Sequence, residues 1–190
     1  MSASVFTMLD LVERLGNRVR VALRSLGAEH GLQPVHLQAL MFLRDANRYS
    51  NTPQALAEYL GLTKGTVSQS LLLLERKNLV ERYADTADKR VVRLELSATG
   101  AALLKGVRLA PEWKKALRSV SLARTRTALP VLRETLQNLQ LNSGSRTFGV
   151  CQTCVHIKRE SSRIYRCGLT AERLSTVDIR KVCREHEPNA

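Results

Sequence analysis

Apolar residues recur at three- and four-residue steps from the start of the chain. Val5, Met8, Leu9, Val12, Leu15, Val19 and Leu23 form one stripe, which predicts an amphipathic helix ending near Gly27. Gln33-Pro34 opens a second helix with Leu37, Leu40, Met41 and Leu43 apolar, and Asn47 stops it. Thr52-Pro53 is an N-cap followed by proline at the first helical position, so a short helix runs through Tyr59 to Gly61. Thr63 caps the next helix, whose buried stripe is Val67, Leu71 and Leu74, and Asn78 stands where a left-handed closing residue is expected.

The period changes at Leu79. Leu79 to Tyr83 and Val91 to Leu96 are strand-like, and the polar stretch Ala84 to Arg90 between them predicts a β-hairpin with a charged tip. Ser97 caps a further helix, and Pro111 and Pro130 are expected to divide the following sequence into shorter helices up to Leu141. Asn142-Ser143-Gly144-Ser145 is linker chemistry. The fold class expected is mainly α with a small β-hairpin wing. Residues 1–145 are expected to form the helical body, its helix-turn-helix and wing at about 34–97, and residues 146–190 a small cysteine-rich extension held by metal.

Short helix, tight turn, helix and hairpin make a winged helix-turn-helix. A helix entering the major groove must show small polar and basic groups in its first turns. Lys64, Thr66, Ser68 and Gln69 supply them, beside Gly65. Lys89 and Arg90 at the hairpin tip can follow phosphates, with Arg82 and Arg93 on the arms. Asp88 is placed to orient Arg90 by an ion pair.

The run Leu62-Thr63-Lys64-Gly65-Thr66-Val67-Ser68 is followed by Leu74-Glu75-Arg76-Lys77-Asn78-Leu79-Val80-Glu81-Arg82. Asp85, Asp88, Lys89, Arg90 and then Leu94-Glu95-Leu96-Ser97-Ala98-Thr99-Gly100 complete a pattern that resembles the MarR family of bacterial transcriptional regulators, over roughly residues 5–141. The resemblance implies a homodimer, built by the helices at 4–27 and 98–141, that binds a palindromic operator in double-stranded DNA. Two positions depart from the family pattern. Gln69 stands where arginine is common, which would shift base preference toward a contact such as adenine. Asn78 replaces the usual closing glycine.

All four cysteines lie in the extension, as Cys151-x2-Cys154-x12-Cys167-x15-Cys183. In a reducing compartment such a group points to metal ligation rather than disulfides. Four thiolates can hold one tetrahedral Zn2+ or one 4Fe–4S cube. Only the first pair is close, unlike the two knuckles common in zinc sites, and the spacing resembles that of high-potential iron–sulfur proteins. A 4Fe–4S cluster is therefore favoured, with zinc as the alternative. Ile157, Ile164, Tyr165, Leu169, Leu174 and Val182 are the residues that could exclude water from it. His156 and His186 are read as surface positions or as side chains behind the ligands. Thiol redox catalysis by Cys151 and Cys154 is the weaker alternative, because no βαβ pattern surrounds them.

Composition adds little to where DNA would dock. The formal net charge is +13, which favours a polyanionic partner. Yet residues 1–100 carry 13 basic against 10 acidic side chains, 101–145 carry 8 against 2, and 146–190 carry 9 against 5. Leu71 to Leu74 is the longest aliphatic run, far short of the roughly 20 residues of a membrane span, and a cytoplasmic location is expected. Met8 and Met41 read as core filler and Trp113 as packing in the C-terminal helical region. His30 and His36 could line an effector pocket, though a packed or solvated histidine is the simpler account. The chain reads as a DNA-binding regulator acting by operator occupancy without catalysis. Its tail would be a redox- or metal-responsive centre, with a purely structural zinc docking module as the alternative.

Overall fold

The structure, a computed structural model, describes residues 3–106 and 111–188. Seven helices are described: α1 (Ala3–Ala28), α2 (Pro34–Asp45), α3 (Pro53–Leu60), α4 (Lys64–Arg76), α5 (Ala98–Gly106), α6 (Pro111–Arg118) and α7 (Leu122–Asn142). The wing is β1 (Val80–Ala84) paired antiparallel with β2 (Val92–Leu96), Val80 facing Leu96 and Ala84 facing Val92. This is a mainly helical winged-helix fold. The expected helical region 98–141 includes residues 107–110, which lie outside the described residues.

The local signals act where the chain chemistry puts them. The Thr52 hydroxyl accepts from the Ala55 amide at 3.1 Å and the Thr63 hydroxyl from the Thr66 amide at 3.2 Å, each satisfying a donor with no helical partner. Gly61 (φ 63°) and Asn78 (φ 54°) close α3 and α4 in the left-handed region. Ser97 Oγ accepts from the Gly100 amide at 3.0 Å and starts α5. His36 is structural: its Nδ1 accepts the Gln33 amide at 3.0 Å at the head of α2.

The core of the winged body is aliphatic. Leu37, Leu40, Leu56, Leu71, Leu74 and Leu94 are fully buried, drawn from α2, α3, α4 and β2. Each such leucine contributes about 1.5–3 kcal/mol over an exposed one. Their stripe on α4 presses its opposite face outward.

One expectation is corrected. Pro130 does not divide the C-terminal region, because it lies inside the continuous helix α7. Proline there removes one intrahelical hydrogen bond and crowds the preceding turn. No residue of this helix is buried and Arg126, four residues before Pro130, is exposed, so water can serve the carbonyl that loses its donor.

The extension contains five short strands: β3 (Gly149–Val150), β4 (Ile157–Arg159), β5 (Ile164–Cys167), β6 (Arg173–Ser175) and β7 (Val182–Cys183). β3 pairs with β7, and β4, β5 and β6 form an antiparallel sheet in that order. Its own core is small: Cys151, Ile179 and Cys183, backed by Ile157, Tyr165 and Leu174. Val182 packs instead against the core of the winged body.

That tie is part of a broad junction. The Asn47 amide donates to the Val182 carbonyl at 2.9 Å, and Ala46 bridges Val182 in parallel. Phe148 stacks edge-on against Phe42 (6.2 Å between centroids) and Tyr59 (5.2 Å). Arg184 reaches α3 and grips Glu58 with two hydrogen bonds, 2.6 and 2.8 Å. Lys181 Nζ caps the Arg44 carbonyl at the end of α2, and Glu172 pairs with Arg48 and Tyr49.

Two outcomes test this architecture. A Cβ at Gly100 would meet the Leu79 carbonyl oxygen at 2.1 Å, with backbone on both sides unable to give. Gly100→Ala should therefore lower stability by about 1–3 kcal/mol, read as a reduced urea midpoint with an unchanged slope. The second concerns pH. The Arg184 hydrogen bonds hold the Glu58 carboxyl below its ordinary value. A depressed carboxylate stabilises the folded state above the unfolded value of about 4.3, and this contribution fades as pH falls through the lower folded value. Amide protection at residues 44–51 and 181–186 should accordingly drop below pH ~4. In Glu58→Gln it should already be reduced at neutral pH and vary less; identical profiles for the two proteins would deny the clamp this role.

Candidate nucleic-acid interface and cysteine site

Lys64, Thr66, Ser68 and Gln69 all lie exposed on the first turns of α4, opposite the buried Val67 and Leu71. Thr66 shares a hydroxyl–hydroxyl bond of 2.9 Å with the cap Thr63, which fixes its rotamer at the helix mouth. Lys64 and Ser68 line one cleft with Pro53 and Gln54 of α3 and Arg82 of β1. Gln54 was not anticipated as part of this face, since nothing in its spacing distinguishes it from an ordinary helix-surface glutamine. Arg82 is turned toward Glu75, its Nε 2.8 Å from the carboxylate, so it stands at the cleft edge already partnered.

The wing tip is a knot of hydrogen bonds. Asp85 accepts from the Asp88 and Ala87 amides and from Arg93 Nε at 2.6 Å. Those backbone N–H groups, with the Arg93 guanidinium second, hold its carboxyl at about 2. Asp88 grips Arg90 through Nε and Nη2, both at 2.9 Å, as its sequence position suggests. Lys89 and Arg90 remain exposed. Arg93 faces inward, also donating to the Arg48 carbonyl and, at 3.3 Å, to Asn51 Oδ1. It ties the wing root to the α2–α3 loop.

The four cysteines surround one space. Cys151 lies in a single-turn 3-10 helix, Cys154 just after it, Cys167 at the end of β5 and Cys183 at the end of β7. All four line a cavity of about 70 Å³ with almost wholly apolar walls, including Ile157, Leu169 and Leu174. Among the described residues, no three His, Cys, Asp or Glu side chains converge closely enough to hold a single metal ion. The four thiols thus share one small volume. Only Cys151 and Cys183 share a hydrogen bond, with opposite consequences for the two. The bond from Cys151 brings the Cys183 thiol down to about 6, while the same bond and burial push Cys151 up.

The histidines stand behind this ring. His186 is buried, its Nε2 3.0 Å from the Thr153 hydroxyl, and burial pushes its pKa down. Packing here is tight: a Cβ on Gly149 would meet the His186 ring at 2.6 Å. His156 borders the cavity with Nε2 3.1 Å from the Glu187 carboxylate. Two cavity neighbours escaped sequence reasoning. Tyr49 lines the wall, and Asn47 donates from Nδ2 to Cys151 Sγ at 3.8 Å, across 104 positions of sequence.

The helix faces outside the winged body are apolar and uncovered. Phe6, Leu11, Leu15 and Val21 of α1 and Leu122, Leu129, Leu136 and Leu139 of α7 are exposed. No helix among the described residues is long and apolar enough to cross a membrane.

Comparison with known proteins agrees with this geometry. The model of the MarR family matches residues 30–91. The chain is 36% identical over 78 residues to the HTH-type transcriptional repressor YetL of Bacillus subtilis, which covers 41% of this chain and 47% of that one. It thus spans about half the length of that curated relative. Among solved structures, a MarR transcriptional regulator of Methanosarcina mazei superposes with a TM-score of 0.59 at 22% identity, covering 70% of this chain and 95% of that one. The MepR–DNA complex of S. aureus superposes with a TM-score of 0.58 at 23% identity, covering 68% and 94%. The family model thus falls on α2, α3, α4 and β1, the elements that form most of the winged helix.

Proposed function

We propose that the chain is a DNA-binding transcriptional regulator of the MarR type, cytoplasmic, acting as a homodimer and without catalysis. The observation that carries this is the exposed Lys64–Gln69 face at the mouth of α4, flanked by the cations of the wing tip. Lys64, Thr66, Ser68 and Gln69 read bases or phosphates in the major groove; Lys89 and Arg90 anchor the wing on the backbone, with Arg82 at the cleft edge. Dimerisation would cover the apolar faces of α1 and α7, and an isologous pair of reading heads calls for a palindromic site. The relatives' names support regulation, and the DNA-bound neighbour supports the partner class.

The second half of the proposal is a metal centre at Cys151, Cys154, Cys167 and Cys183. A zinc ion with Zn–S bonds of ~2.3 Å needs four sulfurs gathered about one point. A 4Fe–4S cube instead occupies volume and takes a thiolate at each corner. Four sulfurs on the wall of one apolar cavity could each take a corner of the cube, and the apolar walls would limit water around it. The cluster would add charge and folding energy to a segment whose own core is small. The thiolates sit on and beside three short elements, so binding would lock the 3-10 turn, β5 and β7 together.

Fluorescence anisotropy with a duplex enriched from a random library tests the first half. Gln69→Ala should cost about 1–3 kcal/mol and relax preference at one base pair. Lys89→Ala should weaken all sequences alike and reduce the salt slope by about 1. A monomeric protein with no affinity for any duplex at low salt would remove the proposal. Anaerobic purification with iron, sulfide and zinc analysis tests the second half. Iron and acid-labile sulfide in equal amounts, with a brown colour, are expected; Cys167→Ser should lower both. Stoichiometric zinc in a colourless protein would replace the cluster by a structural ion.

A further inference from the structure

The cysteine ring and the wing share one piece of backbone. On one side, Asn47 Nδ2 donates to Cys151 Sγ (3.8 Å), and the Asn47 amide donates to the carbonyl of Val182, the residue before Cys183. The Arg184 amide, just after Cys183, donates to Ser50 Oγ at 2.8 Å. Ser50 is fully buried and donates in turn to Asn47 Oδ1 at 2.8 Å, which also accepts from the Tyr49 amide at 3.0 Å. On the other side, the Asn51 carbonyl accepts from the Leu94 amide of β2 at 2.8 Å. The Arg48 carbonyl and Asn51 Oδ1 accept from Arg93, whose Nε holds Asp85 in the wing.

We propose that Asn47 is the positioning residue through which the state of the cysteine centre reaches the wing. The inference rests on the proposed 4Fe–4S centre and on operator binding. The amide of Asn47 has one role at each end. Its nitrogen is a hydrogen-bond donor to a ligand sulfur, and its oxygen organises the turn Tyr49–Ser50. A cluster-bound Cys151 has its sulfur fixed and holds the donor; once the cluster leaves, the sulfur can shift and the side-chain amide can turn after it. Rotation surrenders the bonds to Tyr49 and Ser50, and the loop that carries Arg48 and Asn51 loses its fixed shape. Arg93 then has fewer fixed acceptors, and the wing that bears Lys89 and Arg90 is held less firmly. Loss of the centre thereby weakens phosphate anchoring with no change in the α4 face.

The test uses full-length protein, cluster-loaded and chelator-stripped, against the same enriched duplex. In the wild type the two forms should differ in affinity by about 5–150-fold, the usual span of a coupling between sites. Asn47→Ala should load the same iron and sulfide while the ratio falls toward one. Asn47→Asp keeps an oxygen for Tyr49 and Ser50 but sets a carboxylate against the sulfur, so it should also lose the ratio with the turn intact. Both should move the cluster's midpoint potential to more negative values, because a hydrogen bond to a ligand sulfur has been lost. That shift separates a contact with the centre from a loop merely destabilised. Loaded variants that keep the wild-type ratio, or the wild-type potential, overturn the relay alone. Wild type that binds equally in both forms overturns the relay and leaves operator binding standing. Wild type that holds no iron overturns the centre on which the relay rests.

Discussion

The junction between the two parts of the chain depends on the loop that leaves α2 and enters α3. Backbone groups buried away from water must find partners, and a loop cannot satisfy its own as a helix does. Between Ala46 and Asn51 part of the pairing is internal, the Ser50 and Asn51 amides to the Asn47 carbonyl, and the rest reaches outward: Asn47 to Val182 and the Ser50 hydroxyl to Arg184 of the extension on one flank, Asn51 to Leu94 and Arg48 to Arg93 of the wing on the other. Ser50 sits at the middle with no exposure, its hydroxyl both donating and accepting. Because each bond fixes the next, the loop behaves as a single unit whose shape three elements share. The extension is thus built into the winged body and does not hang from it, although the Asn142–Ser145 linker is as polar as a tether.

How much of this was legible in sequence follows from what encodes each feature. The caps at Thr52, Thr63 and Ser97 and the closing Asn78 are local chemistry, and the structure places all four as the spacing implied. The apolar stripe of α4 and the alternating wing strands are likewise local periodicities. The Asp88–Arg90 pair was readable for the same reason, two residues apart on one tight turn. Pro130 misled because a proline's effect depends on whether its lost hydrogen bond is exposed, which the sequence does not record. The docking of the extension was unreadable. Arg184–Glu58 and Asn47–Cys151 join residues 126 and 104 positions apart, and neither partner looks unusual in its own neighbourhood. Gathering of the four cysteines around one cavity was implied by their confinement to the tail, whereas Asn47 and Tyr49 as their neighbours carry no signal at all.

The electrostatics also become clearer once the ion pairs are placed. A net charge of +13 suggests a broadly attractive surface for DNA. Several of the 30 Lys and Arg side chains behind that figure are paired with acids: Arg82 with Glu75, Arg93 with Asp85, Arg184 with Glu58, Arg146 with Glu185 and Arg166 with Glu160. Bidentate and networked arginines of this kind define geometry more than they attract a distant polyanion. The cations left at the reading face are few, with Lys64 at the helix mouth and Lys89 at the wing tip fully outward. Arg90 is half neutralised by Asp88, which fixes its direction at some loss of long-range pull. The surplus in residues 101–145 lies with the helices expected at the dimer interface. Under the proposed function, net charge would speed encounter, while anchoring by the wing falls to a few side chains whose positions the hydrogen-bonded loop controls. A change of one bond at that loop would then matter to phosphate anchoring for this reason: few contacts of the wing carry it, and each depends on where the wing is held.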